Sequence, residues 1–416
     1  MKFRKQCWLW SGSILFVLVC SLSFAEERSW PQWMGPKHDG ISTESDWSTD
    51  WPTSGLPVAW KREIGIGFSS ISIDDGRLFT MGHVDGEEYV YCMNEQNGEV
   101  LWSHKYPCQL VDNLHEGGPG STPTIHEGLV YTVGREGQLF CFEAETGKIV
   151  WQKDLQKDLN VILPEWGFTS SAYVYKDQIL LEAGRVVSYN KLTGEKKWES
   201  GQHTAGYGSA AVMKEGEQSY IVTLDCDALR VYAADTGQEI AQTPWESPFR
   251  TNSTTPIVEG NLIYISAGYN VGCALYRWTG SDLEQVYKNR GMRNHFNNSI
   301  LFNGNLYGFD GNSNLGRVVQ LTCMKMKTGE IAWKQRGMGC GSLMIVDGKL
   351  LALSEDGELI LAKATPESFQ EIARVPFLSG RCWTVPIFLN GRIYGRNATG
   401  TLVAVDVPKG KNRKTR

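Results

Sequence analysis

Three arginines stand in the same local setting. Arg250, Arg293 and Arg381 each begin a run that turns from polar to apolar: RTNSTTPIV (250–258), RNHFNNSIL (293–301) and RCWTVPIF (381–388). A guanidinium offers a rigid fork of donors that matches a carboxylate or phosphate. Three of them gathered at one place would form a basic mouth for an acidic ligand. Glu116, Glu165, Tyr207, Asn252, Asn294 and Asn298 occupy comparable positions and add hydrogen-bonding groups. His203 and His295 could act as general bases near neutral pH. Neither has a nucleophile beside it and no His-x-x-His or Glu-x-x-His spacing occurs, so hydrogen bonding is the favoured role and no metal site is expected. Trp166 and Trp383 could stack on a quinone or a sugar face. Cys340 reads as a small lining residue rather than a reactive thiol. In RNHFNN, strand alternation would set Asn294, Phe296 and Asn298 on one face and Arg293, His295 and Asn297 on the other.

These residues share a context because the chain repeats. CMNEQNGEVLW (92–102), CFEAETGKIVW (141–151), SYNKLTGEKKW (188–198) and CMKMKTGEIAW (323–333) are copies of one unit. VYAADTGQEIA (231–241) and YRWTGSDLEQVY (276–287) are weaker copies, and the turn glycines lie 43 to 49 residues apart. An alternating strand runs into a turn whose glycine takes φ > 0 at no steric cost, and a second strand then carries a tryptophan. Before each strand pair comes an opening such as IGFSSISI (66–73), GPGSTPTI (118–125), WGFTSSAYV (166–174) or GYGSAAV (206–212), and eight openings can be counted. The unit is therefore four strands. The expected fold is all-β, an eight-bladed β-propeller of four-stranded blades over 57–408. The last copy has three strands, ending at LVAVDV (402–407). PVAWKREIG (57–65), with Trp60, would supply the fourth and close the ring. In such a ring the openings line the central channel, which is where the candidate residues would meet.

Residues 1–25 read as a signal peptide, with Lys2, Arg4 and Lys5 before an apolar run and Ser23-Phe24-Ala25 as a cleavage site. Export to the periplasm or beyond is expected. Cys20 leaves open a lipidated form and, through it alone, peripheral membrane contact. Residues 26–56 form an N-terminal arm, and 409–416 a basic disordered tail. The net charge of −5 argues against nucleic acid as a partner. Cys92, Cys141 and Cys323 recur just before the turns and read as buried apolar residues; one disulfide involving Cys108 is left open. Glu355-Asp356 reads as a solvated turn, and Trp30 and Trp33 as packing the arm.

The Trp-bearing turns resemble the quinoprotein-type repeat of eight-bladed propellers. That group includes PQQ-dependent dehydrogenases and the accessory lipoprotein of outer-membrane barrel assembly. More closely, WPQWMGPKHDGIS (30–42), LPEWGFTSSAYV (163–174), SAGYNVGCALYR (266–277) and GMRNHFNNSILFNGNLYGFD (291–310) are similar to a family of secreted bacterial PQQ-like propeller proteins. The resemblance implies the fold and admits two functions. One is a monomeric scaffold binding an anionic small molecule or a periplasmic or envelope protein. The other is a PQQ-dependent alcohol or sugar oxidoreductase, with PQQ and Ca2+ as cofactors. The large dehydrogenases carry adjacent cysteines against the cofactor and acidic and Asn ligands for Ca2+; this chain has no Cys-Cys pair. The scaffold is the favoured expectation.

Overall fold

The computed structural model describes residues 29–410, with the side chains of 315–317 excepted. Eight four-stranded antiparallel sheets stand in a ring. In chain order the blades span 72–107, 124–154, 173–199, 211–244, 257–289, 300–335, 342–376 and 387–406. The signal-peptide and Cys20 expectations and the tail beyond residue 410 lie outside the described residues.

Ring closure follows the sequence expectation. Val58–Glu63 pairs antiparallel with Thr401–Asp406, placing Trp60 opposite Ala404, so the eighth blade draws its outer strand from the N-terminal side. No sheet edge is left at the seam between the chain's two ends.

The middle strands are continuous apolar runs because neighbouring blades cover both faces. Leu129–Val133 and Gln138–Glu143 are buried along most of their length. Tryptophans of the outer strands lie against the turn of the next blade. Trp60, Trp102 and Trp151 donate their indole N–H to Glu95 O, Ala144 O and Lys191 O at 2.9, 2.9 and 3.1 Å. At Gly98, φ is +70° and a Cβ would fall 2.7 Å from the Trp60 ring. Only glycine satisfies both the left-handed turn and the ring's approach. In blade 5, Tyr287 takes this place, with its ring over Gly329 and its hydroxyl donating to Met326 O at 2.7 Å.

The openings hold the ring together near its axis. Thr122 N–H donates to Ser171 Oγ, Ser171 N–H to Ser209 Oγ, and Ser209 N–H to Thr255 Oγ1, at 2.9, 2.9 and 3.1 Å. Thr255 N–H then donates to Asn298 Oδ1 at 3.0 Å. Ser342 reaches Thr384 O at 2.8 Å across blades 7 and 8. The Ser/Thr/Asn content of the openings thus satisfies backbone groups that would otherwise be buried without partners.

The N-terminal arm crosses one end of the channel. Trp30 bridges Ile73 of blade 1, and Pro31 O accepts from Ile125 N–H of blade 2 at 2.7 Å. His38 stacks on Tyr173 of blade 3 at 4.1 Å. Ile41–Ser42 adds a parallel fifth strand inside blade 7, beside Ile345 and Val346. Trp47 packs on Phe388 of blade 8 at 5.1 Å. Lys409 is exposed and its backbone is bridged to Trp47, and Gly410 N–H donates to Asp46 O at 2.8 Å. Residues 46–47 of the arm thus meet residues 409–410. All eight described cysteines are buried and free, Cys108 among them.

Candidate functional site

Among the openings lies a cavity of about 400 Å3. Its wall comes from the openings of seven blades, all but the seventh, with the loop before blade 2 and inner loops of blades 5 and 6. Trp33 of the arm also lines it, donating Nε1–H to Thr255 Oγ1 at 3.3 Å.

Aromatic rings make a continuous belt on this wall. Trp166 touches His115 at 5.0 Å, His115 meets Phe68 at 5.3 Å, and Phe68 stacks on Trp383 at 5.3 Å and 25°. Trp383 meets Phe296 at 4.2 Å, and His295 and Tyr269 extend the belt at 5.2 and 4.9 Å. Trp383 is oriented by Glu355, whose Oε1 accepts its Nε1–H at 3.0 Å while Oε2 accepts Cys340 N–H at 3.0 Å. Glu355 is therefore no merely solvated turn residue. Its turn stands between the openings of blades 7 and 8, where the N–H groups of Cys340 and Trp383 need an acceptor.

Of the sequence candidates, Trp166, Tyr207, His295, Arg381 and Trp383 line this cavity. Arg381 lies over the Trp383 ring at 4.5 Å and donates to Glu116 Oε2 at 2.8 Å. Burial pushes the His295 imidazole down to about 4 and lowers that of His115, so both are neutral near pH 7. His295 Nδ1 accepts from Ser313 N–H at 3.3 Å. Burial also raises the Tyr207 phenol.

The other candidates go elsewhere. Arg293 lines a second hollow with Tyr269, Asn270 and Phe249, and both its Nε and Nη2 donate to Asp310, at 2.6 and 2.9 Å. Lys334 shares that carboxylate at 2.6 Å. Arg250 sits in an exposed turn with φ of +51° and reaches Thr204 Oγ1 at 3.3 Å. Asn252 is fully buried and donates to Asp225 O and Trp245 O, both at 2.7 Å. Asn294 donates to Phe309 O at 3.1 Å, and Asn298 clasps both backbone groups of Thr255 at 3.0 Å. His203 is buried between blades 3 and 4, with Nε2 3.0 Å from Glu182 Oε1 and 4.0 Å from Asp225 Oδ2. These four are hydrogen-bonding members of the frame.

Two expectations are corrected. The alternation drawn for 293–298 fails because the segment is bent rather than extended, and His295, Phe296 and Asn297 all line the cavity. The three-arginine basic mouth does not form as drawn. Arg381 and Arg293 are each taken by a carboxylate, and Arg293 belongs to the neighbouring hollow.

Phe68, His115, Tyr269, Phe296 and Trp33 were missing from the candidates. His115 stood beside Glu116 in the loop before GPGS, and that adjacency was the available signal. Trp33 carried none, because its position depends on the arm's path.

This donor set does not fit PQQ held with Ca2+. Among the described lining residues the one guanidinium, Arg381, is held by Glu116. Among the described residues no group of three or more His, Cys, Asp or Glu side chains could hold a metal ion.

Comparisons with known proteins agree with this architecture. A curated outer membrane protein assembly factor BamB from Shewanella oneidensis is 21% identical over 374 residues, covering 74% of this chain and 89% of that protein. Quinoprotein ethanol dehydrogenase from Pseudomonas putida is 24% identical over 164 residues, and the match spans only 25% of its length. A second BamB, from Yersinia pestis, is matched over 30% of its own length. BamB from Moraxella catarrhalis superposes with a TM-score of 0.62 at 15% identity, covering 84% of this chain and 99% of that one. Quinohemoprotein alcohol dehydrogenase from Comamonas testosteroni gives 0.65 at 13% identity, covering 94% and 82%. At these identities the structural likeness concerns the fold. The family model described as outer membrane protein assembly factor BamB matches residues 86–335, more than half of the 416-residue chain, and the chain belongs to that family.

Proposed function

We propose that this protein is an exported binding scaffold whose channel mouth receives a partner of the bacterial envelope, without redox chemistry of its own. The observation that carries the reading is the Arg381–Glu116 pair beside the aromatic belt. It leaves a largely apolar recess whose one described lining guanidinium is already paired, in place of an anion-binding, metal-supported centre. The relatives named as outer membrane protein assembly factors support a protein partner, and the basic-apolar leader supports export. Leu114 and Phe249 add exposed apolar side chains on loops beside the openings, 79% and 74% exposed. Apolar groups at the rim of a recess are what a partner surface would cover.

Site-specific photocrosslinking in intact cells tests this. A crosslinker at Leu114 or Phe249 should give discrete adducts. One at Ile331, on the outer strand of blade 6, should not. Identical adducts from all three positions, or none from Leu114 and Phe249, would contradict the proposal.

A further inference from the structure

The two sides of the cavity differ in chemistry. On one side Trp383 stacks with Phe68 at 25° and meets Phe296 at 39°, and the Arg381 guanidinium also lies over part of the Trp383 ring. The three rings form a curved apolar platform. They do not form the pair of parallel faces that would sandwich a flat heteroaromatic ring. On the other side, beside Trp166, Tyr207 and Tyr269, stand hydroxyls of blades 3, 4 and 5. Ser171, Ser209 and Thr255 each accept a backbone N–H from the preceding blade, which fixes their oxygens at the channel wall. A hydroxyl that accepts in this way still has its own proton to give.

Charge narrows the ligand further. Arg381 is the one Lys, Arg, Asp or Glu among the described lining residues, and Glu116 holds it. An anion or a cation entering the cavity would therefore lose hydration without gaining a free counter-charge. The size, about 400 Å3, falls in the range of small-molecule sites. A neutral molecule with an apolar face and hydroxyl-bearing edges matches both sides. A pyranose ring has that form: its C–H face suits an aromatic platform and its equatorial hydroxyls suit fixed hydroxyl partners.

We infer that the cavity is a binding site for a neutral saccharide, with Trp383 and Phe296 as the platform and Ser171, Ser209 and Thr255 as the hydrogen-bonding wall. This rests on the reading of the channel mouth as a binding site, and it assigns that site a ligand class. No bond is made or broken in the process.

The test is calorimetric titration of the full chain with maltotriose, cellotriose and N,N′-diacetylchitobiose as probes, alongside indole and PQQ with Ca2+. At least one saccharide should bind saturably at millimolar concentration or below. Trp383→Ala should weaken it about tenfold, equivalent to ~1.4 kcal/mol. Phe296→Leu, which keeps most of the volume and removes the aromatic face, should weaken it in the same direction with an unchanged melting temperature. Saccharide affinity unaffected by Phe296→Leu in a folded protein would overturn the inference. Binding of indole or PQQ with no saccharide bound would also overturn it, while leaving the mouth a binding site. Failure of every probe, together with no adducts from Leu114 and Phe249, would sink the underlying reading as well.

Discussion

Arg381 of blade 8 reaches past blade 1 to Glu116, in the loop that leads into blade 2, with Nη1 2.8 Å from Oε2. This pair decides the charge of the mouth. Glu116→Gln removes the negative partner and leaves the guanidinium over Trp383. The variant should gain affinity for an anionic probe such as inorganic pyrophosphate, and the gain should shrink with added salt. Both side chains are about a third exposed, so the stability change should stay within ~1 kcal/mol. Titration calorimetry at two ionic strengths reads the first effect and chemical denaturation the second.

The ring's seam makes a sharper demand on stability. Trp60 is 5% exposed and joins the strand before blade 1 to the turn at Gly98. Trp60→Ala should cost about 3–5 kcal/mol, as for other buried Trp-to-Ala truncations. Gly98→Ala should also destabilise, because its Cβ would strike the same indole and φ is left-handed. Urea midpoints of the two single variants and the double variant check this. In the double variant the clash disappears, so the losses should be less than additive.

His203 gives a prediction about pH. Burial alone would lower its imidazole, but the hydrogen bond to Glu182 and the charges of Glu182 and Asp225 outweigh it, and the net direction is upward from 6.5. Arg230 pairs with Asp225 at 2.6 Å, and Glu182, whose own carboxyl is pushed up by burial, faces His203 at 3.0 Å. A raised value means that the stabilisation is whole below 6.5 and is lost as pH rises through the folded-state value. The melting temperature should therefore fall as pH rises above about 6.5, and His203→Gln should flatten that dependence. An equal slope in wild type and variant would assign the effect to another group.

The arm should behave as part of the fold. Trp30 is 2% exposed and bridges Ile73 at the innermost strand of blade 1. Trp30→Ala should lower stability by about 3–5 kcal/mol. A loss near zero would mean that the arm leaves the channel end in solution.

The architecture was readable because it repeats. Thr-Gly turns at regular spacing and a tryptophan at a fixed offset carry a local signal, and the pairing of Val58–Glu63 with Thr401–Asp406 followed from counting strands. The site was only partly readable. The openings were recognised as channel-lining, yet their polar residues have two uses that look alike in sequence. Asn252 and Asn298 satisfy backbone groups of adjoining blades and Asn294 one within its own blade, whereas Trp166, Trp383 and His295 face the cavity. Pairs such as Arg381 with Glu116 or Arg293 with Asp310 bring distant parts of the chain together, and nothing in the local sequence marks them. The arm's route depends on contacts with separate blades, so Trp33 could not be assigned to the cavity before the ring was seen.

Absorbance titration of the purified protein with PQQ and Ca2+, followed by dye reduction with ethanol as donor, tests the central claim most directly. That claim is a neutral binding recess at the mouth in place of a quinone centre. The account predicts no saturable change in the PQQ spectrum and no dye reduction above the protein-free control. Stoichiometric PQQ binding accompanied by ethanol-dependent dye reduction would contradict it.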